Sequence, residues 1–239
     1  MPAPDNIEGH FDAKNGFYKI NKNSQQLLRD GIAMLSKSLG YDKDKETVSF
    51  GGSSFGKVTK ALQMIHAAKL DDLERVVRQD MKDHPNGRFI INVDFLDHVN
   101  SLAKRFSDMK PAIMVGATKD RTKIVKDFKN NKIKLLIKTS TTGNSAISLH
   151  DTDGGYPRFM YYLPNYSFIT IAQNVMRIYR DGSKSDATVR MFYGKGEFFE
   201  EKGILKAMAS KTEVVKGMID EKNLGEIVYP GDYPDYIEV

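Results

Sequence analysis

Residues 88–106 read RFIINVDFLDHVNSLAKRF. Phe89–Val93 is a short apolar run, and the stretch after it, from Phe95 to Phe106, reads as a helix. Moving outward, the same alternation recurs: AIMVG at 112–116, a helix around Arg121–Asn130, then IKLLIKT at 133–139. After a Gly-rich turn at Asp153–Gly155 come FMYYL at 159–163, a helix near Ile169–Arg180 and ATVRMFY at 187–193. Apolar strands alternating with helices predict a mostly parallel sheet covered on both faces, an α/β fold in three layers. Residues 86–195 are expected to form this domain. Ahead of it, residues 1–85 read as a helical or extended addition. A helix is expected near Ser24–Lys37, then the charged break YDKDKE, then a helix or helix pair over Val58–Met81. In that last segment Leu62, Ile65, Leu70, Leu73 and Val77 fall at helical intervals, and Pro85, Asn86 and Gly87 end the run. Residues 196–239 read as a C-terminal helix over Phe198–Glu221 and an extended tail.

Composition excludes several classes of function. The 239 residues are 40% hydrophobic, enough to bury a substantial core, and contain no cysteine, so disulfides, thiolate metal sites and a cysteine nucleophile are ruled out. The five histidines are scattered, with no two at the short spacing of a metal-ligand pair, and no metal site is expected. No apolar run approaches the ~20 residues that cross a bilayer, and the start MPAPDNIEGHFD lacks a basic-then-apolar signal pattern. The expected setting is intracellular (cytoplasmic or nuclear) or viral, without membrane. The formal net charge of +5 is unevenly spread. Residues 119–138 hold eight basic side chains against Asp120 and Asp127, the footprint of a phosphate-backbone contact or of a solvated lysine-rich helix.

Two stretches suggest nucleotide chemistry. GGSSFGK at 51–57 has the spacing of a phosphate-binding loop, but Val58 stands where that motif needs the Ser or Thr that holds Mg²⁺. No Asp-Glu box follows on a strand; INVDF offers Asp94 without a neighbouring acid. The stretch is expected to be a turn opening a helix, with a self-contained P-loop ATPase as the alternative. In ITIAQNVMRIYR, at 169–180, Gln173, Arg177 and Arg180 stand at i, i+4 and i+7, opposite Ile171, Val175 and Ile178. The apolar face is expected to pack and the guanidinium face to point out. An ordinary surface helix can carry two arginines at this spacing.

The run QNVMRIYR resembles the sixth motif of superfamily 2 helicases and translocases: Gln, three residues, Arg, two residues, Arg. The following DGSKSDATVRMFY is similar to the turn and terminal strand of the chromatin-remodeller-like branch and of related helicases of large DNA viruses. The family usually has Gly just before the first arginine, where this chain has Met176. TSTTGNSAISLHD, from Thr139, resembles the fifth motif, with Thr139, Ser140 and Gly143 at its small positions, Ile147 and Leu149 at its apolar ones, and Ala146 where glycine is common. RFIINVDFLDHVNSLAKRF resembles the fourth-motif strand and helix, and VGATKDRTKIVKDF the element after it. Four motifs stand in order over about residues 88–193.

The resemblance implies the C-terminal, second RecA-like lobe of an ATP-dependent motor. ATP and Mg²⁺ would be held mainly by a first lobe that carries the P-loop and the Asp-Glu box, leaving GGSSFGK outside the nucleotide site. Arg180, with Arg177 beside it, would stabilise charge developing on the γ-phosphate; Gln173 would order the polar network and Gly143 would lie near the nucleotide. Thr139, Ser140 and Thr141, with Thr118 and Lys119, would grip a single-stranded or duplex nucleic-acid backbone. A non-catalytic interaction module retaining the fold is the other alternative.

Overall fold

The computed structural model describes residues 11–38, 40–42, 47–49, 55–142, 147–165, 167–195, 201 and 236–237. The chain runs β1 (Phe11–Lys19), α1 (Lys22–Ser38), a small antiparallel pair β2 (Gly40–Asp42) and β3 (Thr47–Ser49), and α2 (Phe55–Asp83). It continues through β4 (Arg88–Val93), α3 (Leu96–Arg105), a 3₁₀ turn at Ser107–Met109, β5 (Ala112–Met114), α4 (Arg121–Lys129) and β6 (Leu135–Thr139). Then come β7 (Arg158–Tyr162), α5 (Phe168–Val175), β8 (Ala187–Lys195) and β9 (Tyr236–Ile237). The main sheet has the order β5-β6-β4-β7-β8-β1-β9, and all its pairings are parallel.

β4 lies inside this sheet between β6 and β7, and Phe89, Ile90, Ile91 and Val93 are all buried. A strand covered on both faces has no reason to alternate polar with apolar residues, which is why its sequence reads as a continuous run. Register separates the layers. Ile91 pairs with Ile137 and Tyr161, and Tyr161 pairs with Arg190, so these side chains share one face. Asp80 of α2 accepts hydrogen bonds there from Tyr161 Oη at 2.5 Å and Arg190 Nε at 2.9 Å, placing α2 on that side. Ion pairs from Arg78 to Asp108 and from Arg105 to Glu74 hold α3 and its following turn beside α2. α1 packs on α2 so closely that a Cβ on Gly31 would stand 2.8 Å from Ile65 Cγ1. On the opposite face Arg158 lies over the Phe128 ring of α4, and Lys138 meets Asn174 of α5. The three-layer α/β reading therefore holds.

Two elements differ from the sequence reading. The segment before Arg88, read as an addition, contributes a strand to the same sheet: β1 pairs with β8 from Phe11↔Ala187 to Lys19↔Lys195, and Tyr18 stacks on Phe192 with centroids 3.8 Å apart. Of the two readings offered for Val58–Met81, a helix or a helix pair, the single helix holds: the segment lies within one continuous helix. The helix expected over Ile169–Arg180 ends at Val175, beyond which Arg177 N and Ile178 N bond three residues back, to Asn174 O and Val175 O. The expected helix over Phe198–Glu221 lies outside the described residues apart from Glu201.

Candidate functional site

The connection leaving β4 heads for α3 and β5, whereas that leaving β7 heads for α5 and β8, so a topological switch point lies at the carboxyl ends of these two neighbouring strands. Asp94 sits there, accepting a bond from Asn165 Nδ2 at 2.5 Å. Beside it the chain leaves β6 in a tight turn: Ser140 N donates to Val93 O at 2.8 Å and Thr142 N to Thr139 O at 3.0 Å. The hydroxyls of Thr139 and Thr142 bond each other, and Thr139, Ser140 and Thr142 are buried. Thr141 alone of this turn is exposed. Of the three residues assigned to backbone grip here, Thr141 presents its side chain to solvent and Thr139 and Ser140 do not.

Two residues that motif reading did not single out fix this turn. Lys138 is fully buried, and its ammonium donates to Asn174 Oδ1 at 2.8 Å and to the carbonyls of Thr139 and Thr142, each at 3.2 Å. Asn174 in turn donates to Ser140 O at 2.9 Å and Thr170 O at 2.8 Å. Lys138 closes the basic segment 119–138 but, being buried, adds nothing to a surface footprint. The available signal was a lysine inside an otherwise apolar strand, which must find internal partners.

The far end of the same loop is also tied to the arginine-bearing segment. Leu149 N donates to Arg177 O at 2.8 Å, and Arg177 Nη1 donates to Ile147 O at 3.1 Å. Ile171, Val175 and Ile178 pack inward as expected, but Arg177 is only 7% exposed and does not lie on an outward guanidinium face. Its helix has ended, so a uniform 100° step no longer applies. Gln173 and Arg180 are exposed. The Arg180 backbone is held in a turn: its N–H donates to Ser183 Oγ at 3.0 Å, Ser183 Oγ donates to its carbonyl at 2.7 Å, and Gly182 takes φ +83°.

Burial and charge shape the titration of this region. Burial, reinforced by Arg177 and opposed by Asp94, lowers Lys138 to about 7. Burial raises the Asp94 carboxyl and lowers Arg177, the latter helped by Arg180. His150 is lowered to about 4 by burial and by Lys129, Arg180 and Arg158, so its ring is neutral near pH 7. A lysine bound less tightly to its proton in the folded chain than in the unfolded one makes stability rise with pH, from about 7 up to its ordinary 10.5. Lys138→Met is expected to remove up to about 1.4 kcal/mol per pH unit of that slope. Urea unfolding across this range checks it; parallel pH profiles for the two proteins would refute the burial of Lys138.

No family model matches the chain, and no curated protein matches its sequence. Solved structures do match. The crystal structure of the C-terminal part of the Fun30 ATPase domain superposes with a TM-score of 0.56 at 11% identity, covering 82% of this chain and 86% of that one. The fold is that of a RecA-like C-terminal helicase lobe. The C-terminal domain of the DEAD-box protein Dbp5 aligns more loosely, with a TM-score of 0.45 at 18% identity over 63% of this chain and 80% of that one. S. cerevisiae Dbp5 L327V bound to RNA and ADP BeF3 gives 0.46 at 18% identity, over 72% of this chain and 38% of that one.

Within the RecA-like lobe, Thr118 Oγ1 accepts from Val115 N at 2.9 Å, closing the turn that carries exposed Lys119 into α4. Lys123, Lys126 and Lys132 are exposed as well. Gly143, assigned to ATP, and Ala146 lie outside the described residues. Gly56 and Lys57 sit exposed in the first turn of α2, and residues 51–54, the rest of the run read as a turn, lie outside the described residues. Among the described residues the strand before them is β3, which pairs with β2 and not with the parallel sheet that a P-loop would extend. Among the described residues no cluster of three acidic or histidine side chains could hold a metal ion.

Proposed function

We propose that this lobe is the second half of an ATP-dependent helicase or translocase. Arg180 acts as the arginine finger on ATP and Mg²⁺ held by a first RecA-like lobe, and Gln173 orders the polar surroundings. The turn around Thr141, with Thr118 and Lys119, rests on the nucleic-acid backbone. The observation that carries this reading is the double tether: the fifth-motif loop is bonded at its start, through Ser140 O, to Asn174 and at its return, through Leu149 N and Ile147 O, to Arg177. The two runs read separately as motifs thus form one contiguous structure, as coupling between strand grip and nucleotide requires. In this reading Arg177 is a staple for the loop, and the charge facing the nucleotide is left to Arg180. The chromatin-remodeller-like and viral branch belongs to the same proposal, supported by the run after Arg180.

Single-stranded nucleic acid is expected to bind weakly, without sequence preference and with steep salt dependence. If Lys119 and two neighbouring bases each neutralise a phosphate, affinity falls about 20-fold for a fourfold rise in salt. Fluorescence anisotropy with labelled oligothymidylate and oligouridylate over that range tests it and compares DNA with RNA. Affinity independent of salt would refute the backbone contact.

A further inference from the structure

Resting on that reading, we propose that Lys138 and Asn174 are positioning residues that couple the strand-facing turn Thr139–Thr142 to the arginine segment Arg177–Arg180, so that contact at the turn is felt at the arginines.

The bonding pattern argues for more than packing. A methionine or leucine would fill the Lys138 position without the cost of desolvating a charge, and replacing buried charges by apolar groups is often neutral or stabilising. Instead all three ammonium hydrogens find acceptors, and those acceptors belong to two different elements: the turn and α5. Asn174 completes the clamp from the other side, its oxygen accepting from Lys138 while its amide holds Ser140 O and Thr170 O. Thr142 O, the acceptor just after exposed Thr141, is therefore one side chain away from α5. Asn174 O then receives Arg177 N at 3.1 Å, so the path continues through the main chain to the arginine segment.

The clamp has a built-in release. A charged ammonium supplies three donors and a neutral amine two, so deprotonation must free one of the three acceptors. The groups facing Lys138 are Asn92 and Asp94 from the β4 side, Met114 from β5, and Asn174 and Arg177 from α5 and its exit. Asp94 favours the proton, while Arg177 and burial oppose it.

Arg177 is the reporter, because a guanidinium this buried is shielded from direct contact with a bound strand. The full chain, labelled with ¹⁵N, is titrated to saturation with short oligothymidylate one pH unit below and one above 7, following the Thr141 amide and the Arg177 Nε–H by NMR. Oligothymidylate is expected to shift both signals, with the Arg177 shift smaller at the higher pH. In Lys138→Met the Thr141 signal should still respond while the Arg177 shift is lost at both pH values. Asn174→Leu, which removes both the acceptor for Lys138 and the amide donors, should behave alike and serves if the methionine variant does not fold. An Arg177 shift that persists in the variants, or is absent from the unaltered chain while Thr141 responds, overturns the coupling alone. Absence of any oligothymidylate binding by the unaltered chain overturns the motor reading and the coupling with it.

Discussion

Arg180→Ala is expected to lower ATP turnover by about 10³ to 10⁵ while leaving nucleotide binding nearly intact, in a protein that joins this lobe to a first RecA-like lobe. The loss should fall on turnover because the guanidinium is needed most when charge builds on the transferred phosphoryl group. Arg180 suits this role better than Arg177. Its side chain is exposed and its backbone is fixed by the Ser183 hydroxyl and the Gly182 turn, so the group can be presented to a facing lobe without ordering a loop. Arg177 is buried and its Nη1 is spent on Ile147 O, so alanine there should act mainly through the loop. Arg180→Lys should not rescue turnover, since an ammonium lacks the planar fork that holds two phosphate oxygens. Steady-state ATPase rates beside a nucleotide titration decide the matter. Unchanged turnover in the alanine variant, with stability altered by less than about 0.5 kcal/mol, would make Arg180 surface decoration and favour a non-catalytic module.

The parts of the fold legible in the sequence are those where the burden of burial falls on consecutive residues. β4, β6, β7 and β8 are covered on both faces or nearly so, and the runs FIINV, LLI, FMYY and ATVRMFY announce it. β1 is different: FDAKNGFYK carries Lys14, Asn15 and Gly16, none of them a strand former, and its pairing is imposed by the open edge of β8. Local propensity could not disclose a partner 176 residues further along the chain, from Phe11 to Ala187. The end of α5 was hidden for a similar reason. The spacing of Gln173, Arg177 and Arg180 suits a continuous helix, but the Arg177 carbonyl is taken by Leu149, and a long-range bond overrides the periodicity. Motif resemblance located the loop and the arginine segment but said nothing about which groups join them. Lys138 and Asn174 do so from positions flanking the motif residues, and only the folded chain brings them together.

Lys69→Met is expected to destabilise the fold by about 3–5 kcal/mol, because it strands a carboxylate in the interior. Lys69 of α2 and Glu201 are both buried, with Nζ and Oε2 2.8 Å apart. Glu201 Oε2 also accepts from Gly194 N at 3.0 Å, and Lys69 donates to Phe192 O at 3.1 Å, so the pair pins Glu201 and the end of β8 onto α2. Burial raises the Glu201 carboxyl and lowers the Lys69 ammonium, and each partner opposes the shift of the other. Without the lysine, the opposing attraction vanishes and the carboxyl rises further. A carboxyl whose folded pKa exceeds its unfolded one loses stability as pH climbs between the two, so the defect should deepen toward neutral pH and be relieved in acid. The double variant Lys69→Met/Glu201→Leu removes both charges and should recover most of the loss, since a buried pair replaced by apolar groups is often neutral or better. Urea unfolding of the two single variants and the double, at acid and neutral pH, closes the cycle. A Lys69→Met protein as stable as the unaltered chain at both pH values would show that Glu201 does not reach α2, and would detach Glu201 from the core.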